Sequence, residues 1–193
     1  MAMNTGQMML ILCAMSILAV LTLSINSSIV NASVLGFNME VNLDAISIAQ
    51  STLDEILYND FDQNTINDTR AFEYTDITPA GLLGPDGAGE QIDGGVDIED
   101  TTKVNDFQSK TKFNDVDDYD GYHRKAWNPR LGWFDVRVVV TYVSETNPDV
   151  VESDRTFYKR VTVTVTHPNM ITDSEQHIIP MVIRDLAVYR RYF

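Results

Sequence analysis

Four aspartates, Asp115, Asp117, Asp118 and Asp120, crowd into the stretch FNDVDDYDGYHR and are closed by Gly121. Carboxylates this close repel one another unless they are solvated, ion-paired or bridged by a hard cation. Ca²⁺ takes several oxygen ligands in flexible geometry, so a structural Ca²⁺ held by these four side chains is one reading. Their spacing departs from an EF-hand loop, whose glycine follows alternating ligands and precedes a glutamate. The other reading is an acidic turn tied to Arg124, Lys125 or Arg130, which needs no ligand. The upstream stretch LGPDGAGEQIDGGVD could furnish further carbonyl and carboxylate oxygens.

Other chemistry finds little support. The three histidines, His123, His167 and His177, have no zinc-ligand spacing and no nucleophile paired with a base. There is no phosphate-cradling glycine loop and no nucleophile elbow. The expectation is a protein that is not an enzyme, with no catalytic residues and no cofactor beyond that Ca²⁺. Trp127, Trp133, Tyr119 and Tyr122 form an aromatic cluster in sequence, either packing beneath the loop or exposed as an adhesive or glycan-binding patch.

A formal charge of −14 argues against nucleic acid as a partner, because phosphate binding needs clustered Lys and Arg. The charge is uneven: residues 40–120 hold 20 acids and 4 bases, residues 121–193 hold 8 acids and 10 bases. The two regions could meet within one subunit or between neighbours. Cys13 is the only cysteine, so an intrachain disulfide is impossible.

The elements that must position these residues begin with an uncharged run. No Lys, Arg, Asp or Glu precedes Glu40. Met8 to Leu23 is almost wholly apolar, and the small or apolar stretch SINSSIVNASVLGFNM extends it. A secretory signal would begin with a basic segment, which is missing, although VNA at 30–32 resembles a cleavage site. From Val34 the pattern becomes amphipathic: Val34, Phe37, Val41, Ala45, Ile48, Thr52 and Ile56 recur at spacings of three and four. Glu40, Asp44, Ser47, Ser51 and Asp54 fall opposite. No proline occurs before Pro79, so one helix is expected from Thr5 to Asp60, about 80 Å long. Its first half needs lipid or other apolar helices around it, and its second half suits packing on a sheet.

The sheet lies downstream. WFDVRVVVTYV places Phe134, Val136, Val138, Val140 and Tyr142 on one face, and TFYKRVTVTVTH does the same with Phe157, Val161, Val163 and Val165. The polar connection between them is too short for a helical crossover, so they should pair antiparallel. HIIPMVIRDLAVYRRYF reads as a third strand, with Pro180 indicating an edge or a bulge. AFEYTD could add a short strand. The expected fold class is α+β: a helix over 1–60, acidic Gly/Pro/Asp-rich connecting loops over 61–130, and an antiparallel sheet over 131–193.

A glycine near the start, Gly6, then a long apolar stretch, one extended helix and a C-terminal antiparallel sheet resemble the type IV pilin and pseudopilin superfamily. FNDVDDYDGYHR is also similar to the DVDDY loop of MSHA-type minor pilins, and LGPDGAGE to the loop before it in related pilin-like proteins. The resemblance implies an extracellular filament subunit that is inserted in the cytoplasmic membrane before assembly. It would polymerise with copies of itself through Leu10, Ile11, Ala14, Ile17, Leu18, Leu21, Ile25, Ile29, Val34 and Phe37, with the sheet domain outside. It implies inner-membrane assembly machinery as a partner and processing at Gly6. The chain departs from the family pattern in two places: Thr5 precedes Gly6 where a basic residue is usual, and Ile11 stands where the family carries a glutamate. The alternative within the same resemblance is a membrane-anchored minor pilin or pseudopilin of a secretion or pilus assembly apparatus.

Overall fold

In a computed structural model, residues 5–66, 69–86, 90 and 113–190 are described. The chain divides into two compact units, Met1–Glu40 and Val41–Phe193. A single helix, α1 (Thr5–Leu57), runs through the boundary between them.

In the first unit every residue from Thr5 to Phe37 is exposed. Helix is nevertheless the natural state of this segment. Leu, Met and Ala dominate its first turns, proline is absent, and Gly36 alone costs only ~1 kcal/mol against alanine. By length and composition α1 is able to cross a membrane.

The second unit is a small α+β domain. The end of α1 lies on a four-stranded antiparallel sheet of order β1-β2-β3-β4, formed by β1 (His123–Asn128), β2 (Gly132–Tyr142), β3 (Tyr158–Thr166) and β4 (Met181–Val188). Val41, Ala45, Ala49, Thr52, Leu53 and Ile56 are the buried helix positions. Their spacing of three and four residues makes one stripe, and it meets the buried faces of β2 and β3. Phe134, Val136, Val138, Val140 and Tyr142 from β2 and Val161, Val163 and Val165 from β3 are all buried, so the two-residue alternation in the sequence is the inside–outside pattern of the sheet. β2 and β3 pair antiparallel as expected.

Several details differ from the sequence reading. The helix stops at Leu57 rather than Asp60, and Val34 and Phe37 are exposed, while Ala49, too small to stand out in a hydropathy pattern, is fully buried. AFEYTD forms a 3-10 turn at Tyr74–Asp76 instead of a strand: the Asp76 carboxylate accepts from the backbone N–H of Phe72 and Glu73 and curls the chain on itself. β1 begins at His123, inside the stretch assigned to loops. It pairs with β2 through a turn in which Asn128 Oδ1 accepts from the N–H of Arg130 and Leu131 and Gly132 takes φ +97°, where a side chain would be strained. The segment after Pro180 is β4, an edge strand, which tolerates the missing N–H just before it.

Candidate functional site

The acidic stretch is not a solvent-facing turn. Asp115, Asp117 and Asp118 are buried, and a 3-10 turn at Asp117–Tyr119 carries two of them. Asp115 and Asp118 build the turn between them. Asp115 Oδ1 accepts from the N–H of Asp117 (2.9 Å) and Asp118 (3.1 Å), while Asp118 Oδ2 accepts from the N–H of Asn114 (2.9 Å) and Asp115 (3.3 Å). Asp120 Oδ1 accepts from the N–H of Val140 and fastens the turn to β2, and Gly121 then reverses the chain at φ +76°. Tyr119, fully buried, meets Phe113 and Tyr122 edge to face and donates to Glu55 on the helix at 3.3 Å.

Asp117 points the other way, toward Lys159. The Nζ of this lysine donates to Asp117 Oδ1 (2.9 Å), Asp62 Oδ2 (2.9 Å) and the carbonyl of Phe61 (2.7 Å), and the side chains of all three charged residues are essentially inaccessible. Its three protons therefore have three acceptors, which is the condition under which a buried ammonium is tolerated. The Phe61 ring lies 4.4 Å from the same Nζ. Asp62 is held in turn by the N–H and hydroxyl of Thr78 and by the N–H of Asn64. Tyr142 donates to the carbonyl of Thr78 at 2.7 Å, and burial beside Asp62 and Asp117 pushes its phenol far up. One lysine thus locks the segment after α1, the aspartate turn and β3 together.

The arrangement separates the carboxylates electrically. Burial, together with the neighbouring Asp117, pushes Asp115 up to about 9, so it is protonated at neutral pH. Burial raises Asp118 to about 6 despite the two N–H groups it accepts. The outer face of the sheet carries a separate set of charges. There Asp135 lies 2.5 Å from His123 Nε2 and 3.0 Å from Arg137 Nε, and although burial opposes ionisation, these partners hold its carboxyl below the usual range.

The expected partners of the aspartates change accordingly. The buried ion pair is formed by Asp117 with Lys159, while Arg124 reaches Thr52 on the helix. Period two in TFYKRV places position 159 on the inner face with Phe157 and Val161, and that was the signal that could have found it. Among the described residues no three His, Cys, Asp or Glu side chains converge as a metal site, although Asp115 Oδ2, Asp117 Oδ2 and Asp118 Oδ1 are buried without a partner. Of the upstream stretch, residues 87–89 and 91–97 lie outside the described residues; Glu90 accepts from Asn114 Nδ2 at 2.7 Å. The histidines are dispersed, His167 bridging the carbonyl of Leu131 and the N–H of Asn169, and His177 exposed. The aromatic cluster splits: Tyr119 and Tyr122 are core, whereas Trp127 and Trp133 pair across β1 and β2 on the outer face, with Trp127 half exposed.

The second candidate is the helix surface of the first unit. Leu10, Ile11, Ala14, Ile17, Leu18, Leu21, Ile25, Ile29, Val34 and Phe37 are all exposed, and Gly6 lies in the first turn. Four hydroxyls of the same segment fold back on the helix. Ser16 donates to the carbonyl of Cys13, Thr22 to Leu18, Ser28 to Ser24 and Ser33 to Ile29. A hydroxyl folded back on its own helix can enter an apolar environment without an unmet donor. Compared with known proteins, the chain matches no family model, no curated protein and no solved structure.

Proposed function

We propose that this chain is the structural subunit of a pilus-like extracellular filament, a helical polymer whose core is a bundle of the N-terminal helices with the sheet domains outside. The observation that carries the reading is the exposed apolar surface from Thr5 to Phe37. At roughly 25 cal/mol per Å² of apolar surface, so long a stripe left in water is a large free-energy deficit. Either lipid or neighbouring helices remove it. Lipid would hold the chain in the cytoplasmic membrane before assembly, and copies of itself would replace the lipid afterwards, with inner-membrane machinery making the exchange. Two features favour the second environment as the final one: the inward-bonded hydroxyls, and the small residues Ala14, Ala19, Ala32 and Ser33, which let helix backbones approach closely. A contact repeated from one subunit to the next without closing generates a helical polymer. The domain supports a scaffolding role rather than catalysis, since its buried charges are occupied in tying segments together.

Electron microscopy of material sheared from producing cells, with mass spectrometry of the N-terminus, tests this. Filaments of this chain with a central helix bundle support it, and the observed terminus decides whether processing occurs at Gly6. A chain confined to the membrane fraction without filaments refutes it in favour of a membrane-anchored minor component.

A further inference from the structure

The two sides of the sheet domain carry opposite charge. Register places Trp127, Lys125 and His123 of β1 beside Trp133, Asp135 and Arg137 of β2, and continues across Thr164 and Thr162 to Arg184 of β4, all on the face turned away from the helix. Arg160, on the same face, directs one guanidinium nitrogen to the carbonyls of Pro148 and Asp149. The strands therefore present Lys125, Arg137, Arg160 and Arg184, with His123, against the single carboxylate of Asp135. This is an unusual face for a chain whose formal charge is −14.

The helix side is its opposite. Asp54 and Asp60 are exposed there, and Glu55 is half-buried. The loop beyond them brings up Asp86 and Glu90: Glu90 bonds Asn114 and the N–H of Asp86, and the backbone of Asn114 bonds Asp60. Burial and the charges of Asp117, Glu90 and Asp62 raise the carboxyl of Asp86, and the opposing pull of Lys159 does not cancel them. Arg124, the base that reaches the helix here, is bonded to Thr52.

We infer that the outer sheet face of one copy docks against the acidic helix side of a second copy, so that sheet domains associate face to back along the polymer. The inference rests on the filament reading and deepens it. Charge complementarity argues for the occupant: the outer strand face is positive, and the helix side, with Asp54, Asp60, Asp86 and Glu90, is a surface of opposite sign that every copy of a homopolymer supplies in equal number. Two different surfaces in contact make a heterologous pairing, which propagates without closing. Lipid or helix contacts of the N-terminal unit then supply the bulk of the association, and the domains supply register.

The test is charge reversal in the full chain in producing cells, read as yield of sheared filament. Arg137→Glu with Arg184→Glu, and separately Asp54→Lys with Asp60→Lys, should each lower the yield roughly tenfold or more, since like charges then face each other across the contact. The chain carrying all four changes should recover most of the yield, because the complementarity is restored with its sign inverted. Each double variant and the fourfold variant are checked for an unchanged melting temperature, so that a folding defect is not read as an assembly defect. Wild-type yield in both pairs, or no recovery in the fourfold chain, overturns the contact while leaving the filament reading intact. Unchanged filaments together with lost binding to a soluble polyanion in the Arg pair also overturn it and assign the face to that ligand. Absence of filaments from the wild-type chain overturns the filament reading and this contact with it.

Discussion

Replacing Lys159 with methionine tests the central packing argument. Methionine keeps the length and most of the apolar contact with Phe61 and Tyr142, but it removes the charge that Asp62 and Asp117 share. Asp62 retains its bonds to Thr78 and Asn64, whereas Asp117 Oδ1 loses its lysine and Asp117 Oδ2 is buried without a partner already. Breaking one side of a buried pair costs about 3–5 kcal/mol, because the remaining charges stay buried without compensation. For a domain of this size each kcal/mol lowers the melting temperature by about 2–4 °C, so Lys159→Met should lower it by roughly 6–20 °C. Arg184→Met, an exposed cation on the outer face, should stay within about 2 °C. Differential scanning calorimetry of the intact chain in detergent reads both. A Lys159→Met chain melting within about 2 °C of wild type refutes the claim that this lysine holds the turn. Adding Asp62→Asn and Asp117→Asn to Lys159→Met should recover part of the loss, since no unpaired charge then remains.

Further outcomes follow from the same geometry. Asp115 and Asp118 bind protons more tightly folded than unfolded, so the domain should lose stability as pH rises, from about pH 4 toward about 6 for Asp118 and about 9 for Asp115, at up to about 1.4 kcal/mol per pH unit per group. Asp115→Asn should flatten that slope and raise the melting temperature at pH 8; a slope that persists unchanged shows that another group is responsible. EDTA should leave the melting temperature unchanged, because each aspartate of the turn has a protein partner, and a drop of more than about 3 °C would establish the Ca²⁺ reading instead. Phe134→Ala should cost about 3–5 kcal/mol by leaving a cavity between helix and sheet, measured by urea unfolding. Leu18→Lys should abolish filament yield and leave the melting of the sheet domain as it was, since this exposed side chain belongs to the first unit and is no part of the domain's core.

The long helix, the two central strands and their pairing were legible because each rests on a periodicity that burial enforces: three and four residues in α1, two in β2 and β3. What was not legible had no periodic signal. Ala49 packs tightly because it is small, and hydropathy weights it weakly. β1 carries Arg124, Lys125 and Asn128 with Trp127 on the solvent side, so its pattern is polar on both faces and it is a strand only because β2 offers it an edge. Lys159 broke the apolar alternation of its strand, and it is tolerated inside because Asp62 and Asp117, 97 and 42 residues away in the chain, meet it there. Long-range charge compensation of that kind leaves no trace in local sequence. The aspartate turn was visible as a site of concentrated charge, while the use of each carboxylate depended on backbone N–H groups that only the folded turn brings into range.

The tryptophan pair has a practical consequence. Trp127 and Trp133 are the only indoles in the chain, and their ring centroids lie 4.8 Å apart on the outer face of the sheet. All indole emission therefore originates from one spot, and two rings at that separation couple their electronic transitions. The protein carries its own optical label at one end of that face: near-ultraviolet dichroism reports whether the hairpin is intact, and the emission wavelength reports how wet it is. Burial or exposure of this corner as subunits come together can be followed in unmodified material, without a dye and without touching Cys13.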